Sequence, residues 1–161
     1  METVVTKTLH GLGVKFVVTS HQNPALTCEE VSKERGVALS QVLKCMVCSD
    51  EEGHFHIMLI PGNKRLSKMK KIRRIAKVKK LDFAPRNELK DKLGLVVGAI
   101  SPFQFMGKAK FYIDQTVLDE DMIDISSGSL NAGVMIKTKD LVNLLEPVIC
   151  DIVDNRELIY T

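Results

Sequence analysis

Two apolar segments around a short polar turn constrain the fold of this chain more than any other feature. Residues 41–48, "QVLKCMVC", and residues 54–61, "HFHIMLIP", flank the turn-like "SDEEG". This arrangement predicts a β-hairpin. Side chains alternate between the two faces of a strand, and the first segment is apolar on both faces. We therefore expect the hairpin to lie within a sheet that is flanked by helices.

Strands and short helices follow one another irregularly in the rest of the chain. Capping residues and apolar spacing predict helices over 3–10, from the Thr27/Glu30 capping box to Gly36, over 66–76, over 85–94, and after Thr138. Strands are predicted at 14–20, 95–101, 109–114, 122–127, 133–138 and 148–154. This order predicts one α+β (α/β mixed) domain over 1–161, and the absence of G-x-G-x-x-G argues against a dinucleotide fold.

The charge of the chain is concentrated in one segment. Residues 64–80 carry ten basic and no acidic groups, whereas the other 144 residues carry 13 basic and 20 acidic groups. A basic segment on an acidic body predicts a polyanionic partner. No apolar run is long enough to span a bilayer and no signal peptide is evident at the N-terminus, so we expect a cytoplasmic protein with reduced cysteines and no membrane partner.

Cys45 and Cys48 form a C-x-x-C spacing that raises the question of a metal or redox site. On a strand these side chains point to opposite faces, and their Cα atoms lie about 10 Å apart, which is too far for a disulfide. A zinc ribbon needs a second pair of ligands, and neither Cys28 nor Cys150 supplies that spacing. We expect no metal and no cofactor, although a redox or zinc protein remains an alternative that metal analysis and thiol titration would settle.

Lys44 is the second candidate in the same segment. A lysine between Leu43 and Cys45 in an apolar strand is costly to bury unless it meets an anion or opens onto a pocket. The alternative is a solvent-facing lysine whose stem packs against the sheet. Because both faces of this strand are otherwise apolar, Lys44 is a candidate functional residue.

Two loops could supply backbone donors. Gly98 and Pro102 frame "GAISPF", in which glycine permits close approach and proline fixes the backbone, so several amides could point at one oxygen. Residues 125–133, "ISSGSLNAG", form a second polar loop. Each loop could also be an ordinary connection between elements.

Taken together, these segments resemble the YbaK/prolyl-tRNA synthetase-associated domain family of aminoacyl-tRNA deacylases, from about Val14 to Asp151. The resemblance rests on an ordered set of motifs: "SHQNPALTCEEVSKERGV", "SQVLKCMVC", "GHFHIMLIPGNKRL", "LVVGAISPF", "FYIDQTVL", "IDISSGS" and "GVMIKTKDLVNLL". It implies a central mixed, partly barrel-like sheet with flanking short helices.

The resemblance also implies a reaction and a set of site residues. The reaction is hydrolysis, without a cofactor, of the ester that joins a wrong amino acid to the 3′ end of tRNA. By resemblance, the catalytic residues are Lys44, Gly98 and Ser101. Substrate contacts are implied for Cys45, Ala99, Ile100, Pro102, Ser126, Ser127 and Gly128. We further expect the acceptor stem to bind basic side chains of the cationic segment, namely Lys64, Arg65, Lys68, Lys71 and Arg74.

The sequence departs from the family at two places. Many relatives have threonine after the lysine, where this chain has Cys45. Cysteinyl-specific bacterial members carry an acidic residue after the last-loop glycine, where this chain has Val134 after Gly133. We therefore expect a small aminoacyl group such as alanyl, seryl or cysteinyl, for example on tRNA-Pro. The alternative is a non-catalytic module that binds tRNA or an aminoacyl-tRNA synthetase.

Overall fold

The computed structural model describes residues 2–154, which form five α-helices and eight β-strands. The helices are α1 (Val4–Gly11), α2 (Cys28–Arg35), α3 (Met69–Ala76), α4 (Arg86–Leu93) and α5 (Thr138–Leu145). The strands are β1 (Phe16–Ser20), β2 (Leu43–Asp50), β3 (Phe55–Pro61), β4 (Leu81–Phe83), β5 (Ala109–Asp114), β6 (Met122–Ser126), β7 (Ala132–Lys137) and β8 (Val148–Cys150). No helix within residues 2–154 is long and apolar enough to cross a membrane.

The strands form two sheets. One is a three-stranded antiparallel sheet in the order β1-β7-β6, and the other is a five-stranded mixed sheet in the order β4-β2-β3-β5-β8. A parallel bridge between Val42 and Asp124 connects the two sheets at the start of β2. The predicted α+β class with a mixed sheet and short helices is confirmed, and within residues 2–154 neither sheet closes into a complete barrel.

Strand β2 lies between two hydrophobic clusters. Leu43, Cys45 and Val47 face a large cluster shared with the three-stranded sheet, while Met46 and Cys48 face a smaller cluster beneath α3. The period-two alternation of a strand produces this division. The prediction that the two thiols point to opposite faces is confirmed.

Two local predictions are wrong. Residues 95–101 do not form a strand; they run through a turn in which the Ala99 N–H donates to the Val96 carbonyl at 2.9 Å. Apolar composition indicated a strand here, but Gly98 at φ +93° breaks it. Thr138 does not cap α5, because its hydroxyl donates to the Glu120 carbonyl instead.

The predicted hairpin of β2 and β3 is confirmed, and Asp50 organises its turn. One carboxylate oxygen of Asp50 accepts the N–H groups of Glu52 and His54 at 2.9 and 3.0 Å. The other lies 2.8 Å from Nε2 of the buried His56, whose Nδ1 lies 2.9 Å from the Tyr112 hydroxyl. The hydrogen bond from His56 is the main reason why the pKa of Asp50 is lowered.

We expect Asp50→Asn to lower the melting temperature at pH 7 and to flatten the acid side of the stability curve. A lowered folded pKa means that the carboxylate stabilises the native state above about pH 4, and that this is lost as pH falls through the folded pKa. The asparagine can still accept the two turn N–H groups, so the change isolates the contact with His56. Thermal unfolding between pH 3 and pH 7 measures it.

Glu52→Gln is the matched control, because it removes a carboxylate from the same turn and the Glu52 side chain is 71% exposed. An Asp50→Asn curve parallel to that of the wild type over this range would contradict the assignment.

Candidate active site

An open stretch of the β2 edge forms the floor of a cleft. Strand β2 pairs with β3 along its length, but β4 covers only Cys48–Asp50 and the bridge to β6 occurs at Val42. Between these two points the outer edge of β2 has no strand partner among the described residues. A cleft of about 530 Å³ lies at this opening.

Four parts of the chain that are distant in sequence form the walls. The start of α2, the segment from β4 into α4, the 97–100 turn and the end of β6 all face the open edge. The lining residues are Leu26, Thr27, Cys28, Val31, Val42, Leu43, Lys44, Cys45, Met46, Val47, Phe83, Ala84, Arg86, Leu89, Val97, Gly98, Ile100 and Ser126.

The hydrogen-bond pattern determines which backbone groups of β2 face the cleft. The Gly62 N–H donates to the Val42 carbonyl at 2.7 Å, whereas the Ala84 N–H donates to the Val47 carbonyl at 2.9 Å. In an antiparallel pair the backbone hydrogen-bonding groups alternate in direction. The N–H and carbonyl groups of the even-numbered residues of β2 therefore point toward β3, and those of the odd-numbered residues point toward the open edge. The N–H and carbonyl of Cys45 consequently point into the gap.

Lys44 lies at this opening with a fixed amine. Its Nζ donates to the Lys64 carbonyl at 2.7 Å, and the residue is half-buried. Burial raises the pKa of the Cys28 thiol, and the positive charge of Lys44 opposes that rise. The ammonium of Lys44 and the thiol of Cys28 therefore belong to one electrostatic environment.

The cysteines of this region are poor nucleophiles. Burial raises the pKa of Cys45 to about 12, and burial also raises that of Cys48 to about 12. Thiols with such pKa values are protonated at neutral pH and cannot act as thiolates. Within residues 2–154 no group of three or more His, Cys, Asp or Glu side chains is arranged to hold a metal ion.

The predicted Gly-x-x-x-Pro loop divides between the cleft and the core. Gly98 and Ile100 line the cleft, whereas Ala99, Ser101 and Pro102 are buried behind it. A Cβ at Gly98 would lie 3.1 Å from Leu26 Cδ2 in a positive-φ conformation, so glycine suits the close approach.

Ser101 is buried, and both its hydroxyl and its N–H bond to neighbouring residues of the chain. Its hydroxyl accepts the Phe103 N–H at 3.3 Å, and its own N–H donates to Gln104 Oε1 at 2.8 Å. The Ala99 N–H is also occupied by its turn bond. Among the amides of residues 98–101, those of Gly98 and Ile100 have no hydrogen-bond acceptor within residues 2–154 and are therefore available to a ligand.

The serine-glycine loop, residues 126–128, also has one residue at the cleft and one buried behind it. Ser126 lines the cleft, while the fully buried Ser127 donates from its hydroxyl to the Ala132 carbonyl at 2.6 Å. Gly128 has φ +93°, and a Cβ there would lie 3.4 Å from Gln104 Nε2. Gln104 thus lies between the two predicted loops.

A buried ion pair attaches α2 to the three-stranded sheet. Arg35 Nη1 lies 2.6 Å from Asp124 Oδ1, and its Nη2 donates to the Ala132 carbonyl at 3.1 Å. Arg35 Nε donates to Nε2 of His21, and Nδ1–H on the same imidazole ring donates to the Asn23 carbonyl. A Cβ on Gly133 would lie 2.3 Å from Arg35 Nη1, so the guanidinium requires a glycine there.

The structure brings together Lys44, Cys45, Gly98, Ile100 and Ser126. It places Lys64 beside them through the contact with Lys44, and it leaves Arg65, Lys68, Lys71 and Arg74 on the exposed surface around α3. No signal in the sequence indicated the walls formed by Leu26–Val31 and by Phe83–Leu89. The capping box correctly marked the start of α2, but no local signal indicated that this helix end covers the β2 edge.

The family model of the aminoacyl-tRNA editing domain matches residues 22–144. The chain belongs to the aminoacyl-tRNA editing domain family. This confirms the resemblance to the YbaK-like deacylases that the sequence indicated.

Individual relatives of this editing domain agree with the assignment. The Multifunctional Ser/Thr-tRNA deacylase ProXp-y of Escherichia coli K12 is 29% identical over 138 residues, covering 84% of this chain and 82% of that protein. The prolyl-tRNA editing protein ProX of Acetoanaerobium sticklandii is 22% identical, with 90% of each chain covered. The crystal structure of a protein described as hypothetical superposes with a TM-score of 0.84 at 23% identity, covering 93% of this chain and 99% of that one.

Proposed function

We propose that this editing domain is a trans-editing hydrolase that cleaves the ester of mischarged aminoacyl-tRNA. The observation that carries the proposal is the meeting of Lys44, the Gly98 turn and Ser126 at one cleft, in a chain of the editing-domain family. The curated relatives named above are tRNA deacylases or editing proteins, which supports the same reaction.

The chemistry needs positioning more than a strong nucleophile. An aminoacyl ester is already activated, so a bound water that is held against the carbonyl carbon can attack it. The carbon–oxygen bond to the ribose then breaks, and the ribose oxygen takes a proton that derives from the water. Negative charge develops on the carbonyl oxygen during attack, and free amides at that place lower the barrier.

We assign roles from the geometry of the cleft. The N–H groups of Gly98 and Ile100 bind the carbonyl oxygen, with the open-edge N–H of Cys45 opposite them. Lys44 clamps the terminal phosphate or orients the aminoacyl end. Ser101 acts behind the cleft, where its bonds to Phe103 and Gln104 hold the turn in place.

We propose a small aminoacyl group, such as alanyl, seryl or cysteinyl, because the cleft must also admit the terminal nucleoside. Shape alone discriminates by about 1–3 kcal/mol per methylene, so activity on more than one small residue is expected. Ser127 and Gly128 shape the pocket from behind Ser126, together with Ala99 and Pro102.

A panel of mischarged tRNAs tests the proposal. Alanyl-, seryl-, threonyl-, cysteinyl- and prolyl-tRNA are incubated with the protein, with and without a chelator, and the remaining ester is measured. We expect accelerated loss of at least one small aminoacyl group, unaffected by the chelator. Ester loss at the uncatalysed rate for every species, with tRNA still bound, would instead support a non-catalytic binding module.

The cationic segment is the proposed site for the acceptor stem. In α3 the apolar residues Ile72 and Ala76 are buried, and Lys68 and Arg74 are exposed on other sides of the helix. Lys71 lies 3.4 Å from Asp151, so part of its charge is already balanced. Lys68 and Arg74 are therefore the better candidates for phosphate contacts.

We expect Lys68→Ala/Arg74→Ala to weaken tRNA binding and to reduce the slope of log K against log salt by about 2, which is about one per phosphate contact. Fluorescence anisotropy at several salt concentrations measures this. Lys7→Ala, an exposed lysine on α1, is the control for lost charge. An equal slope in the double variant and the control would remove α3 from the interface.

A further inference from the structure

The mouth of the cleft exposes an aromatic ring. Phe83 is 52% exposed at the end of β4, and its side chain lines the cleft. Leu26 on the opposite wall is 56% exposed, and Val96 beside the 97–100 turn is 44% exposed. Exposed apolar side chains that gather around one functional cleft, rather than lying singly on the surface, point to a ligand.

Phe83 lies on the same face of the sheet as Lys44. It is directly opposite Cys48 in the antiparallel pairing of β4 with β2, and opposite residues share a face. Cys48, Met46 and Lys44 alternate onto that face along β2. Cys48 lies four positions after Lys44, so the ring and the amine are attached about 13 Å apart along the strand.

Arg86 provides a cation on the same wall of the cleft as Phe83. It is the first residue of α4, three positions after Phe83, and it also lines the cleft. The residue is exposed, and no acidic side chain pairs with it among residues 2–154. A guanidinium and an exposed aromatic ring on one wall of a cleft match the requirements of a nucleotide, which has a flat base and a phosphate.

We infer that Phe83 and Arg86 form the subsite for the terminal nucleotide of a single-stranded 3′ end. The terminal base stacks on the Phe83 ring, and Arg86 contacts the phosphate that precedes it. This arrangement leaves the Lys44 amine for the aminoacyl end, farther along the same face. The inference rests on the proposed function, because only a 3′-aminoacylated nucleic acid would need both ends of the cleft at once.

An uncharged acceptor-stem hairpin that ends in cytosine-cytosine-2-aminopurine tests the subsite without catalysis. Stacking quenches 2-aminopurine, so wild-type protein is expected to quench its fluorescence on binding. Phe83→Leu, which keeps apolar bulk but not the ring, should lose the quench and bind about 10-fold more weakly. Phe83→Tyr should retain the quench. Arg86→Ala should weaken binding but keep the quench at saturation, and Arg86→Lys should restore part of the affinity.

Val17→Ala is the control, because Val17 is 63% exposed on β1 of the other sheet. Equal quenching by Phe83→Leu and wild type would overturn the inference, as would wild-type binding without any quench or an absence of binding. The last result would leave the apolar mouth as a surface for a protein partner. Quenching without turnover of any mischarged tRNA would sink the deacylase proposal and leave the subsite standing.

Discussion

Lys44→Ala is expected to reduce deacylation by about 10²–10³-fold while the fold is retained. Loss of a single charged or hydrogen-bonding group that acts on the reacting end of a substrate typically has this size. The amine is the one strongly cationic group on the β2 segment of the cleft lining, and its hydrogen bond to the Lys64 carbonyl holds it in place. Single-turnover hydrolysis of the best mischarged tRNA from the panel measures the loss.

Two further variants show whether the effect is chemical. Lys44→Met keeps the length and the apolar stem but removes the charge, so it should be as inactive as Lys44→Ala. Cys45→Ser changes the neighbouring side chain and leaves its backbone N–H, so it should lose far less activity, since the thiol has a pKa of about 12 and is protonated. Unchanged hydrolysis by Lys44→Met, with circular dichroism matching wild type, would remove Lys44 from the mechanism.

Arg35→Met is expected to have the largest effect on stability, about 3–5 kcal/mol in the free energy of unfolding. Removal of one partner from a buried pair leaves an uncompensated charge in the core. Asp124 is 1% exposed, and its Oδ2 already has no hydrogen-bond partner within residues 2–154, so Arg35 is the main group that balances its charge and the more distant His21 adds less. Urea unfolding followed by circular dichroism measures the loss.

The pH dependence of Arg35→Met identifies the cause. Burial raises the pKa of Asp124, and Arg35 opposes that rise. Without Arg35, the buried charge of Asp124 costs nothing at low pH, where the carboxyl is protonated in both the folded and the unfolded protein. The cost should grow as pH rises from about 3.9, the pKa of the unfolded state, through the raised pKa of the folded state. The loss in free energy of unfolding caused by Arg35→Met should therefore be larger at pH 8 than at pH 5.

The double variant Arg35→Met/Asp124→Leu is the matched comparison. It replaces both charges by apolar groups, so it should recover most of the stability that Arg35→Met loses. Equal stabilities for the single and double variants would show that the loss comes from packing of the Arg35 stem against Gly133. A single variant within 1 kcal/mol of wild type would contradict the role of the ion pair.

Local composition did not indicate the turn at residues 97–100 or which side chains of the site loops face the cleft. The apolar letters of "LVVGAIS" favoured a strand, yet the segment turns at Gly98 so that residues 98 and 100 face the cleft while 99 and 101 face the core. The family resemblance implied that Ser101 and Ser127 belong to the site. Both are buried, and their hydroxyls bond to the backbone that shapes those loops. Sequence identifies such a loop, but it does not tell which of its side chains point outward.

The amino-acid sequence determined the elements whose signals are local. Alternation specified the β2–β3 hairpin, and the Thr27/Glu30 pair specified the start of α2. The spacing of Met69, Ile72 and Ala76 specified the basic helix with its apolar side inward, although the helix begins at Met69 and leaves Leu66 outside. Only the tertiary structure decided where β2 is left unpaired, and thereby where the cleft opens. The opening depends on β4 stopping at Phe83 and on β6 reaching only Val42. Pairings between segments that are so far apart in the chain are decided by packing of the whole molecule, and periodicity within one segment carries no information about them.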